Sequence, residues 1–160
     1  MINKEFLIKY EEFSSLQEMN EKDRALAQAA IDAAKGSYSP YSHFQVGAAL
    51  LLENGVLVKG ANQENAAYPA GLCAERTAMF WAGANYPGVP FDTLAVAGHD
   101  HGVLCESPSS PCGGCRQVMA EYQKKAGKPL TVILVGSRRI LKFRQVDDLL
   151  PFIFDSLKVE

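Results

Sequence analysis

Cys112 and Cys115 stand three residues apart, directly after Pro111, in a chain that has four cysteines. No other feature limits the possible folds as much. The serine and proline at 110 and 111, followed by an apolar stripe at Cys115, Val118, Met119 and Tyr122, predict a helix start. Both sulfurs then lie on one side of a first turn and can share an ion. Two thiols are half of a disulfide switch, a metal knuckle or a reactive site, and the fold must bring the remainder from elsewhere. Cys73 is the natural third member, because it opens a second predicted helix and has a carboxylate two residues on, in "CAE". Two helix N-termini then converge, and their positive ends favour thiolate over thiol.

The ligand count separates the remaining readings. Structural zinc is usually closed by four protein ligands, whereas a catalytic ion keeps one position for water. Cys73, Cys112 and Cys115 leave such a position; Cys105, in a polar loop seven residues before Cys112, would close it if it joined and is otherwise a bystander. Glu75 can face the same point as Cys73 only in an irregular first turn. There it would stand over the open position and take a proton from water. Gly113 and Gly114 cost roughly 1 kcal/mol each relative to alanine inside a helix, and their small size lets backbone amides approach sulfur or substrate.

With 48% hydrophobic and 21% charged residues, the chain suits a single globular domain over residues 1–160, with 1–19 as an N-terminal extension. The opening "MINKEFLIKYEEF" interrupts its apolar residues with charge, so neither a signal peptide nor a membrane span is expected, and a cytoplasmic setting follows. Cysteines in a reducing compartment are free thiols, metal ligands or catalytic groups. The net charge of −2 hides a basic block: Arg116, Lys124, Lys125, Lys128, Arg138, Arg139, Lys142 and Arg144 against the single acid Glu121. That block reads either as a nucleic-acid patch or as solvated helix and strand positions, and its scarcity of interleaved aromatics favours the second.

Along the chain, Asn20 caps a helix predicted from Glu21 to Lys35 and stopped by Gly36. "FQVGAALLL" and "VLVKG" flank Asn54-Gly55 as a hairpin. Residues 72–84 read as a helix with Cys73, Thr77, Phe80, Trp81 and Ala84 on one face. "TLAVAG" suits a buried strand, followed by the long polar loop "HDHGVLCESPSS"; then come the cysteine-bearing helix and the strands "TVILV" and "ILKFRQV". The order predicts an α/β domain, one mixed sheet with helices packed on it.

"CAE" at 73–75 and "PCGGC" at 111–115 resemble the signature of the zinc-dependent nucleoside and nucleotide deaminases. "YSPYSHFQVGAALL", "NQENAAYPAGLCAERTA", "SPCGGCRQVM" and "LLPFIF" extend the resemblance, in order, to the small homotetrameric cytidine deaminases. What the resemblance implies is a three-layer α/β/α sandwich on a mixed, roughly five-stranded sheet. It also implies a homotetramer that turns cytidine and 2′-deoxycytidine into the uridine forms and ammonia in pyrimidine salvage, with a small nucleoside rather than a nucleic acid or membrane as partner. Cys73, Cys112 and Cys115 would hold one Zn²⁺ per chain, and Glu75 would shuttle protons from water to N3 and to the departing amino group. Asn62 and Glu64 would bond the ribose 3′-hydroxyl, Phe44 would pack on the base, the Ala74 backbone would meet the base carbonyl, and the Ser110 carbonyl the amino group. Arg76 would point its guanidinium at the thiolates, and Phe154 would reach a neighbouring subunit's site. A cysteine rather than a histidine at position 73 separates the chain from polynucleotide deaminases.

Two departures from that pattern stand out. Gln45 follows Phe44 where many members have proline, and Phe152 and Ile153 are bulkier than the usual small residues before the last aromatic, so core or interface packing competes for Phe154. His99 and His101 are expected as loop residues, and Tyr68 and Trp81 as packing residues.

Overall fold

In chain order the computed structural model, which describes residues 1–155, runs β1 (Glu11–Phe13), α1 (Glu21–Ala33), β2 (Phe44–Leu52), β3 (Leu57–Ala61), α2 (Ala74–Asn85), β4 (Phe91–Asp100), β5 (Val103–Leu104), α3 (Gly113–Ala126), β6 (Thr131–Val135) and β7 (Ile140–Phe143). Side chains alternate across each strand, and the alternation assigns the layers. Ala48 and Leu50 of β2, Leu94 and Val96 of β4, and Val132 and Leu134 of β6 share one core with Ala78, Met79 and Met119 of α2 and α3. Ala49, Ala95, Ala97, Ile133 and Val135 face the other way, against Leu26, Ala27 and Ala30 of α1. The result is the expected α/β/α sandwich.

The strands follow the order β1-β7-β6-β4-β2-β3, with β5 added to the end of β4; every pairing is antiparallel except β4 with β6. Since β2 runs antiparallel to both β3 and β4, those two strands point the same way and finish at the same rim. The helices that follow them therefore begin at that rim, where Phe44 also starts β2 opposite Asp100. Glycine makes the packing close. A Cβ on Gly47 would lie 2.1 Å from the Ala30 carbonyl oxygen of α1, and one on Gly60 would lie 2.5 Å from the Ala74 carbonyl oxygen of α2.

The sheet has seven strands rather than about five. β1 and β5 are three and two residues long, too short for periodicity to register, and exist because longer partners offer them an edge. Glu11 pairs with Arg144 and Glu12 with Arg139, which fastens β1 along β7. The buried face of α2 also differs from expectation: Ala74, Ala78, Met79 and Ala82 are inside, whereas Phe80 and Trp81 are 45% and 51% exposed. Small residues face inward because α2 lies almost on the backbone of β3, and the bulky ones are left outside. Trp81 is accordingly not a packing residue of this chain's core.

Asn20 caps α1 as expected, accepting from the Asp23 N–H at 2.9 Å. Asp23 in turn forms an ion pair with Lys142 of β7, which ties the helix to the sheet; both side chains are largely buried. Breaking such a buried pair from one side costs about 3–5 kcal/mol. The rest of the basic block is similarly occupied. Lys124 meets Asp155, Lys128 meets Glu53 and Arg138 meets Glu106, while Lys125 lies 6.0 Å over the Tyr122 ring. Much of that charge is thus matched within the chain.

His99 lies inside β4, not in a loop, because β4 continues along β2 as far as the Phe44–Asp100 pair and then turns through His101 and Gly102 into β5. It is buried, with an unpartnered Nδ1, and burial holds its imidazole below the ordinary 6.5. The unfolded chain therefore takes up a proton at pH values where the folded chain does not. Stability from this group is complete above about pH 6.5 and is lost as pH falls through the lowered value. The thermal midpoint should drop between about pH 7.5 and about pH 5, and His99→Gln should flatten that drop. Equal slopes for the two proteins, measured by scanning calorimetry, would rule His99 out as its source.

Candidate active site

Cys73 and Cys112 occupy equivalent places, the N-caps of α2 and α3, and both have extended backbones. Neither side chain makes the capping hydrogen bond that serine or asparagine would make there. The sulfurs are instead turned to one another. Cys73 Sγ lies 3.9 Å from Cys112 Sγ, Cys112 Sγ lies 3.5 Å from Cys115 Sγ, and all three fall within 4.8 Å of each other. The start of α3 is Cys112 rather than the predicted Ser110–Pro111, which places Cys115 one turn in and fully buried.

These spacings fit a tetrahedral ion. Bonds of about 2.3 Å from a central zinc to sulfur put sulfurs about 3.8 Å apart, close to the two separations found. Cys105 is not in the cluster; its backbone bonds to Gly98 and Ser137 hold it in the loop between β5 and α3. Glu75 is 4% exposed and stands beside the cluster without being one of its donors. Three donors leave one position of a tetrahedron for another ligand.

The electrostatics favour a negative sulfur at Cys73. The hydrogen bond from Cys115, together with the Arg76 guanidinium, pulls the Cys73 thiol down to about 5, against the opposing effect of burial. Cys115 is correspondingly pushed up by holding its proton in a hydrogen bond to Cys73 and by burial. The Arg76 Nη2 donates to Cys73 Sγ at 3.3 Å, so its charge faces that sulfur, and the contact raises the guanidinium pKa. Arg76 Nε is buried without a partner. Burial raises the Glu75 carboxyl, partly offset by its own backbone N–H, and the charge on Cys73 adds to the rise. A buried acid whose pKa is raised beside a charged cluster is the environment in which a proton can be both taken and returned.

Next to Cys73 and Arg76 opens a cleft of about 640 Å³ that Phe44, Asn62, Glu64 and Tyr68 help to line. The Phe44 ring reaches toward Gly98; a Cβ there would be 3.0 Å from its tip. Asn62 is largely engaged within the chain. Its Oδ1 accepts from Ser37 Oγ at 2.6 Å and from Val46 N–H at 2.7 Å, and its Nδ2 donates to the Phe44 carbonyl at 2.9 Å. One Nδ2 hydrogen stays available. Glu64 accepts from the Tyr41 N–H at 2.9 Å, the Ser42 N–H at 3.3 Å and the Ser42 hydroxyl, bonds that lower its pKa, the hydroxyl most. Both side chains thus hold the loop that leads into β2 at Phe44 as well as facing the cleft.

Ala74 is the first residue of α2, where N–H groups have no partner within the helix. Ser110 is exposed, two residues before Cys112. Phe154 is 66% exposed and does not line the cleft; its carbonyl accepts from Gln117 Nε2 at 2.8 Å. Tyr68, expected to pack, is 91% exposed on the cleft wall, and Tyr41 joins it. Their signal was a tyrosine in each of two proline-containing loops flanking the candidate ribose residues, "YSPYS" and "AAYPA".

A family model described as the cytidine and deoxycytidylate deaminase zinc-binding region matches residues 20–128. A cytidine deaminase of Halalkalibacterium halodurans is 50% identical over 98 residues, covering 60% of this chain and 68% of the relative. One from Sporosarcina psychrophila is 44% identical over 119 residues, 74% of this chain and 80% of its own. Among solved structures, the cytidine deaminase of Burkholderia pseudomallei aligns with a TM-score of 0.67 at 41% identity, over 85% of this chain and all of that one.

The Gly60 contact makes the ligand geometry testable. Because the atoms a Cβ would strike are backbone, Gly60→Ala must move the first turn of α2 and Cys73 with it. We expect a stability loss of about 1–3 kcal/mol together with weaker zinc binding in a competition titration. Weakened stability with unchanged zinc affinity would mean that α2 shifts without disturbing its thiol.

Proposed function

The chain belongs to the cytidine and deoxycytidylate deaminase family and is a hydrolase of the cytidine deaminase class, and from that premise we propose that it deaminates cytidine and 2′-deoxycytidine to uridine and 2′-deoxyuridine with release of ammonia. One observation carries the reading: a buried carboxylate, Glu75, beside three sulfurs spaced for one ion, one of which, Cys73, lines a cleft large enough for a nucleoside.

Cys73, Cys112 and Cys115 would hold one Zn²⁺ per chain. Bound there, zinc supplies Lewis-acid polarisation that makes water a competent nucleophile near neutral pH. Glu75 takes the proton of the attacking water and delivers it to the pyrimidine N3. It then carries the proton of the new C4 hydroxyl to the exocyclic nitrogen, which leaves C4 as ammonia while the C4 oxygen becomes the uridine carbonyl. Arg76 offsets the charge of three thiolates on one dication. The unpaired first-turn N–H of Ala74 bonds the base carbonyl, and the Ser110 carbonyl accepts from the amino group. Phe44 packs on the base. The free Nδ2 hydrogen of Asn62 and the remaining lone pairs of Glu64 hold the ribose 3′-hydroxyl.

The same reading makes the protein a cytoplasmic homotetramer serving pyrimidine salvage. Its free thiols suit a reducing compartment, and among the described residues no helix is long and apolar enough to cross a membrane. Phe80, Trp81 and Phe154 are exposed apolar surface of the kind that subunit contacts cover, and Phe154 would enter a neighbouring subunit's site.

The test is a panel of cytidine, deoxycytidine, cytosine, CMP and adenosine run beside a zinc assay. The first two should be consumed with loss of absorbance, the others not, and the protein should carry about one zinc per chain. Absence of turnover at saturating cytidine would refute the proposal. Glu75→Gln should keep its zinc and lose at least about 10²–10⁴-fold in kcat; loss of zinc in that variant would make Glu75 a ligand instead.

A further inference from the structure

Arg116 follows Cys115 immediately and plays no part in the chemistry above. Its guanidinium spans two carbonyls: Nε donates to that of Pro111 at 2.9 Å and Nη1 to that of Leu149 at 2.8 Å. The Pro111 carbonyl lies in the same rigid peptide plane as the nitrogen of Cys112, so the clamp fixes the plane from which the Cys112 side chain projects. The three sulfurs differ in how well they are otherwise held. Cys115 is fully buried, and Cys73 is gripped by Arg76. Cys112 is exposed, at a helix cap where its side chain makes no capping bond.

Resting on the reading of Cys73, Cys112 and Cys115 as a zinc centre, we propose that Arg116 is a positioning residue. By tying the Pro111–Cys112 peptide to the Leu149 carbonyl, it holds the exposed ligand in place and slows loss of the metal. A planar guanidinium presents two directed donors, where a lysine ammonium offers a single mobile centre, so lysine substitutes only in part. Gln117 supplies the control. It too bonds the C-terminal segment, donating to the Phe154 carbonyl, but not the peptide that precedes Cys112.

The experiment follows zinc release from the holoenzyme into excess pyridylazoresorcinol, well below the unfolding temperature. Arg116→Met should release zinc about 10–100-fold faster than wild type. Arg116→Lys should fall between the two, and Gln117→Ala should match wild type. Release at the wild-type rate from both arginine variants would overturn the proposal. So would equal acceleration by Gln117→Ala, which would assign the effect to general loosening of the C-terminal segment. Should Arg116→Met not fold, Arg116→Lys decides alone by the same comparison. A wild-type protein without zinc would defeat the zinc reading itself, whereas a loaded wild type with unaltered variants defeats only the clamp.

Discussion

The absence of a side chain at Gly60 lets the first turn of α2 rest directly on β3. From that contact the rest of the site follows. The inward face of α2 must be small, which places Ala74 and Ala78 inside and sends Phe80 and Trp81 outward. The helix is held at a fixed height over the sheet, so its N-cap thiol meets the thiol of α3, which starts from the same rim because β3 and β4 run in the same direction. Ligands that bind at the carboxyl ends of strands in layered α/β folds use the same geometry.

That arrangement works against stability. Each N-cap occupied by cysteine forgoes a capping bond typically worth about 1 kcal/mol, and Glu75 keeps a carboxyl group in a place where burial disfavours its charge. Two helix N-termini and Arg76 offset part of this. The rest is left to whatever occupies the cluster, since a ligand that binds only the folded chain adds its binding free energy to stability.

Much of this was legible in the residues. Asn20, the Asn54-Gly55 turn and the apolar run of β4 each carry a local signal, and the Cys73, Glu75, Cys112, Cys115 set follows from sulfur count and helix starts. What escaped depends on partners remote in sequence. His99 belongs to a strand because β2 and β5 are there to pair with it. The helical periodicity of α2 was readable, but which side faces the sheet was not, because Gly60 rather than hydrophobicity decides it. Tyr68 lines a cleft that exists only once the loops on either side of β2 and β3 come together.

The three-residue strand β1, which closes one edge of the sheet, has a kinetic consequence. Glu11 meets Lys142, so β1 joins β7 across roughly 130 residues of chain, a loop whose closure entropy must be met before any of its few hydrogen bonds form. Its three-residue pairing makes the arm the readiest part of this edge to fray. While it is undocked, β7 presents a bare edge, and the arm's own Phe6, Leu7 and Ile8 are exposed nearby. Fraying of β1 would thus expose a sticky edge at the border of the sheet farthest from β3 and from the chemistry.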